Sequence, residues 1–205
     1  MARATNREER RSQITAALQR TMAVNGYERS TIAMIAEEAG LASGLVHYHF
    51  GSKSEILLAL VEGLAHGAES RIDARLARAE TPLDQLDAIV DALLARDGDH
   101  DADAVRCWTS IAAEAVKSVE VRIAYGAYVE RLTDRLARAT VATCHAEGRS
   151  GEGSRSIAGA IVAMIEGYFA LSAAVPTVIP AGSAASMAKR SVRGLIAAQP
   201  RKERA

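Results

Sequence analysis

Residues 40–53 read GLASGLVHYHFGSK, and the reading of this stretch decides the fold. His47, Tyr48 and His49 follow one another directly, between Gly44 and Gly51. Rings destined for a core arrive at helical or strand spacing because only one face of an element is buried, so three in succession must include some that point to solvent. On a helix from about Ser43 to Phe50, with about 100° between residues, Ala42, Val46 and Phe50 share one side while Gly44 and Tyr48 point the opposite way. Leu45 and His47 flank that outward side, which is left free to meet a partner.

Working outward from this segment, Arg7 to Val24 carries Ile14, Ala17, Leu18, Thr21 and Met22 at amphipathic helical spacing, and Asn25 and Gly26 are expected to stop that helix. Thr31 is an N-cap candidate for a second helix that places Ile32, Ile35, Ala36 and Ala39 on one face. Gly40 supplies the left-handed residue that ends it. After Gly51, Ser52 caps a long helix running through Leu57, Leu60, Val61 and Leu64 towards Leu76. Two short helices joined by a tight turn, the second exposing polar and ring-bearing residues, have the layout of a helix-turn-helix. The plainer alternative is a helical hairpin with a partly exposed aromatic end.

The rest of the chain favours helix as well. It has 205 residues, is low in aromatics, and holds only four prolines, a mixture that gives little support to sheet. Further helices are expected near 83–96, 104–117, 121–146, 157–175 and 184–198, so the predicted fold class is all-α. Formal net charge is zero, but its distribution is uneven: residues 1–53 carry seven Lys or Arg against five acids, 54–188 twelve against nineteen, and 189–205 six against one. A uniformly basic coat is excluded, whereas Arg3, Arg7, Arg10 and Arg11 can form an arm that seeks phosphate or simply a solvated tail.

Cys107 and Cys144 stand far apart and match no zinc spacing, so no metal, cofactor or disulfide framework is expected, and a reducing cytoplasm fits. The N-terminus lacks an apolar run of secretory type. The acidic loop Asp97, Asp99, Asp101 and Asp103 begins like a calcium loop. It fails at the sixth position, Ala102, and at the twelfth, Trp108. A solvated loop whose last aspartate caps the next helix is the expectation there. The run 157–175 approaches the length of a membrane span, but Glu166 at its centre favours a buried helix without a membrane.

Thr31, Ile35, Ala36, Ala39, Gly40, Leu41, Gly44, Tyr48, His49, Phe50, Lys53 and Leu57 together resemble the TetR-type transcriptional regulators over roughly the first sixty residues. That resemblance implies a three-helix DNA-binding head over 1–53, joined by a long helix to a helical body over 54–205 that dimerises and holds a small-molecule effector. It implies a homodimer on a double-stranded, palindromic operator. Carried onto this chain, it makes Thr31, Ser43, Gly44, Leu45, His47, Tyr48, His49 and Lys53 DNA-binding, with Ser43, Gly44 and Leu45 facing bases and Tyr48, His49 and Lys53 holding phosphates. His47 stands where the family commonly has tyrosine, and its contact would strengthen when the imidazole is protonated. The segments WTSIAAEA (108–115) and MIEGYFAL (164–171) resemble the branch that includes choline-responsive betaine repressors, which does not by itself name choline as the effector here.

In the body, polar or ring-bearing residues on apolar helices point to a cavity: Trp108, Tyr125, Tyr128, Met164, Glu166 and Tyr168. Each ring or thioether can equally be core. Glu166 is sharper, because a carboxylate in an apolar helix costs several kcal/mol unless it meets an arginine such as Arg131 or Arg135, water, or a cationic ligand. The same helix is apolar on two sides, and Val162, Ile165 and Phe169 are expected to face a second copy. No nucleophile, base and orienter set is present, so an enzyme is not expected. The leading reading is a ligand-responsive repressor that releases its operator, and the alternative is an architectural DNA-binding dimer without a ligand.

Overall fold

A computed structural model describes residues 2–95 and 102–202. Nine helices follow one another among the described residues: α1 (Ala2–Arg29), α2 (Ile32–Ala39), α3 (Ser43–His49), α4 (Lys53–Leu76), α5 (Pro82–Leu94), α6 (Ala102–Lys117), α7 (Val119–Ala146), α8 (Ser154–Ala174) and α9 (Ser183–Ala197). Most boundaries lie within a few residues of the periodicity reading, and the caps explain why. Thr31 accepts a hydrogen bond from the Met34 amide at 3.2 Å, and Gly40 takes φ 64°, closing α2 at both ends. The Glu55 amide donates to the Ser52 hydroxyl at the start of α4. Thr81 and Asp84 cap α5 reciprocally, and these bonds hold the Asp84 carboxyl below the usual carboxylate range.

Gly26 leaves the helical path with φ 74° and ψ 166°, so the first helix stops where Asn25 and Gly26 are expected to stop it, and a further helical turn leads on to Arg29. Asp103 lies inside the first turn of α6 and pairs with Arg106 at 3.3 Å. The rest of the acidic loop, from 97 to 101, lies outside the described residues.

The chain divides into two compact units. The first comprises Met1–Ala65 and Asp101–Gly126. Ile14, Leu18 and Met22 of α1, Ile35 and Ala36 of α2, Val46 and Phe50 around α3, and Ile56, Leu57 and Leu60 of α4 form its core, with Cys107 and Ile111 of α6. Helix α6 packs along α1, where the Cys107 thiol donates to the Gln19 carbonyl at 3.4 Å. The second unit comprises His66–His100 and Ala127–Ala205. There α5, α8 and α9 pack on one another, and Leu86, Ile89 and Val90 are buried with Ile161, Ile165, Val192 and Ile196.

Helix α8 corrects the expected assignment of its faces. Val162, Ile165 and Phe169 are at most 8% exposed within the single chain, so they are core and not a strip awaiting a second copy. The exposed side holds Gly159, Ala160, Ala163, Ala170 and Leu171 instead. By length and composition α8 could cross a membrane, and only a third of its apolar window is buried. The expectation of a mostly buried helix therefore does not hold.

Candidate nucleic-acid interface and effector region

Helix α3 is held from beneath. Val46 is fully buried and Phe50 nearly so, while Ser43, Gly44, Leu45, His47 and Tyr48 are exposed. Tyr48 is 78% exposed, too large a ring to leave in water without a partner in view. Two residues of α1 steady this arrangement from the side. Gln13 donates to the Ala39 carbonyl at 2.7 Å, closing α2, and Arg11 donates to the His49 carbonyl at 2.6 Å, closing α3. The Arg11 guanidinium also lies 3.9 Å from the centre of the Phe50 ring. Of the arginines expected to form either a phosphate-seeking arm or a solvated tail, Arg11 has this local role.

Two of the expected phosphate contacts sit otherwise than anticipated. His49 is 7% exposed, packs edge-on against Tyr48 with ring centres 5.2 Å apart, and buries an Nδ1 that has no hydrogen-bond partner among the described residues. Burial first, and then the positive charges of Arg7, Arg11 and Arg10, push its pKa down. An enclosed imidazole whose charged form is disfavoured is poorly suited to hold a phosphate. Lys53, half-buried, donates to the Tyr27 carbonyl at 2.9 Å and the Glu28 carbonyl at 3.2 Å. The sequence reading missed Tyr27 as its platform, although Gly26 followed by an aromatic residue was the available signal. Thr31 is exposed at the start of α2, with its hydroxyl capping that helix.

The residues marked for an effector fall into both units. In the first, Trp108 of α6 is 4% exposed and its ring lies 5.9 Å from that of Tyr125 on α7, tilted by 45°. In the second, Tyr128 of α7 is buried, while Met164, Glu166 and Tyr168 of α8 are half-buried. Burial and then the Glu166 carboxylate raise the Tyr128 phenol far above its ordinary value, so α7 and α8 bring these two groups into mutual influence. On α7, Arg131 pairs with Glu69 of α4 at 2.7 Å and Arg135 with Asp73 of α4. Tyr128 also feels Arg71, Glu69 and Arg131, a charged setting around a buried hydroxyl.

Residues 14–60 match the profile of bacterial regulatory proteins of the tetR family, and residues 82–197 match that of the C-terminal part of BetI-type transcriptional repressors. The chain belongs to the TetR family, in its BetI-type branch. The TetR resemblance of the first sixty residues and the looser one of the body both hold. A BetI transcriptional regulator of Agrobacterium fabrum is 33% identical over 127 residues, a match that spans 62% of this chain and 61% of that one. The BetI regulator of Brucella anthropi is 30% identical over 160 residues, 78% and 79% of the two chains. Among solved structures, a protein of Saccharomonospora viridis in complex with choline superposes with a TM-score of 0.79 at 22% identity, covering 96% of this chain and all of the other. At that identity the likeness speaks for the shared fold. As a TetR-family member, the chain is a DNA-binding transcriptional regulator with an all-α, helix-turn-helix architecture.

Proposed function

We propose that this TetR-family regulator is a repressor that binds a palindromic operator as a cytoplasmic homodimer and releases it when a small molecule occupies the body. Its work is binding, without turnover. Residues 1–53 supply the DNA contacts and 54–205 the effector site and the dimer interface. The observation that carries the DNA part is the division of α3: Val46 and Phe50 inward, with Ser43, Gly44, Leu45, His47 and Tyr48 outward on one short helix. Such a helix fits a major groove, and Gly44 has open space where a Cβ would stand. Ser43, Gly44 and Leu45 are assigned to base edges, and Thr31, His47 and Tyr48 to phosphates.

For the dimer, the exposed side of α8 supports pairing with a second copy. Gly159, Ala163 and Gly167 follow at steps of four, each glycine has open space where a Cβ would stand, and Leu171 beside them is 43% exposed. For the effector, Glu166 beside the buried Tyr128 favours a small cation. A quaternary ammonium compound is a reasonable class, since a carboxylate and aromatic faces both attract it.

Gel-shift titrations at fixed salt, on a duplex selected from a random-sequence library and on its scrambled counterpart, test the DNA assignment. Tyr48→Ala should weaken both by similar factors, roughly 5- to 30-fold for one or two lost contacts. Leu45→Ala should instead alter the preference between duplexes. Full affinity in Tyr48→Ala would remove the outward face of α3 as the interface.

A further inference from the structure

The seven residues of α3, SGLVHYH, include no arginine, lysine, asparagine, glutamine or acid. Paired hydrogen bonds to guanine and adenine in a major groove come from basic and amide side chains, and cytosine is read by a carboxylate. Helix α3 therefore carries none of the side chains that discriminate bases most strongly. The Ser43 hydroxyl can donate or accept, so it suits either kind of base edge. His47 and Tyr48 lie further along the helix and are assigned to phosphate. At the base-facing start of α3, the large side chain that remains is Leu45.

Leu45 is 36% exposed, whereas Val46 beside it is fully buried. Its amide donates to the Ala42 carbonyl at 2.8 Å, which fixes its backbone in the first turn. A leucine so placed is already partly enclosed and loses less freedom on binding than a long side chain in water. The apolar surface that it still shows gains free energy only against an apolar partner. On a base edge in the major groove that partner is the C5-methyl of thymine. Leucine ends two carbons beyond its Cβ, a shorter reach than that of arginine, so the backbone of α3 must come close to the base. Gly44, exposed and with open space where a Cβ would stand, permits that approach.

We infer that Leu45 determines the operator preference of this regulator through apolar contact with a thymine C5-methyl in each half-site. The discrimination then comes from dispersion and the release of water, without a hydrogen bond. It separates thymine from cytosine, which has no methyl there, and it marks which strand carries the thymine.

The inference rests on DNA binding through the outward side of α3, and the experiment separates the two. A duplex is selected by the wild-type protein from a random-sequence library. Each thymine is then replaced in turn by uracil, in both half-sites together, which removes only the methyl. Gel shifts at fixed salt compare wild type, Leu45→Ala and Tyr48→Ala, with circular dichroism showing that each is folded. At one thymine per half-site the wild type should lose about 4-fold for each methyl, hence roughly 15-fold for a symmetric dimer, from the value of about 0.8 kcal/mol for one buried methyl-sized group. Leu45→Ala should bind the thymine and uracil duplexes alike. Tyr48→Ala, weaker on every duplex, should keep the wild-type ratio between them. A wild-type protein indifferent to every uracil overturns the inference, and so does a selected half-site without thymine or a Leu45→Ala protein that keeps the full uracil penalty. Each of those, found with a weakened Tyr48→Ala, leaves the α3 interface standing. A wild-type protein that selects no duplex, or a Tyr48→Ala protein with full affinity, brings down that interface and this inference with it.

Discussion

Helix α3 and helix α8 make an instructive pair. In α3, seven residues long, each side chain has one place to go: Val46 is the inward anchor, Tyr48 and His47 point outward, and burial follows the helical wheel. In α8, twenty-one residues long, alanine, glycine and aliphatic residues occupy every side, so the wheel offers two apolar stripes and no rule for choosing between them. The fold chose Val162, Ile165 and Phe169 for its own core and left Gly159, Ala163 and Leu171 outside. Contrast in polarity orients a helix reliably. Contrast in size between apolar residues does so only once the neighbouring helices are known.

The largest expected effect tests this difference directly on α8. Ala163→Glu, on the exposed side, should convert a homodimer into a monomer at micromolar concentration in light scattering while the melting temperature changes little. Phe169→Glu should lower the melting temperature sharply by putting a charge into the core. If Ala163→Glu remained dimeric and Phe169→Glu became a well-folded monomer, the two faces of α8 would have to be exchanged again.

An effect of intermediate size belongs to Glu166. If a cationic effector is held there, Glu166→Gln should weaken choline, used as the probe, by about 1–3 kcal/mol, the range for one charge-assisted hydrogen bond, with operator affinity in its absence nearly unchanged. Isothermal titration with matched gel shifts reads both quantities. Wild-type protein that ignores choline would exclude that cation, and a mutant that melts earlier with the same titration would make Glu166 part of the scaffold.

The smallest effect sharpens the account of α3. His49 has a folded-state pKa below its unfolded value near 6.5, because it is buried beside Arg7, Arg10 and Arg11. Its contribution to stability is therefore complete above about pH 6.5 and is lost as pH falls through the folded-state value. Melting temperatures between pH 8 and 5 should fall more steeply for wild type than for His49→Phe. Parallel curves would show that the enclosed imidazole costs nothing to protonate.

Much of the head was legible because local rules agreed there. Thr31, Gly40 and Ser52 are residues whose own chemistry caps or ends a helix, and Val46 and Phe50 are apolar among polar neighbours. The site was less legible. His49 is buried although it sits in a run of rings, because Arg11 and the end of α3 enclose it, and α1 lies thirty-eight residues away in sequence. The partners that Lys53 finds within the chain, the Tyr27 and Glu28 carbonyls, come from a turn that only the docked chain brings near.

By itself the sequence determined the all-α class, the order of the helices, the helix-turn-helix at 32–49 and the family of regulators to which the chain belongs. These follow from periodicity, caps and a motif, all of which act over a few residues. Tertiary structure alone decided which side of α8 became core, that Arg131 and Arg135 pair with Glu69 and Asp73, and that Lys53 closes α1. Each of those is a choice among near-equal local options. Packing and charge pairing between distant segments settle such choices, and no window of sequence contains both partners.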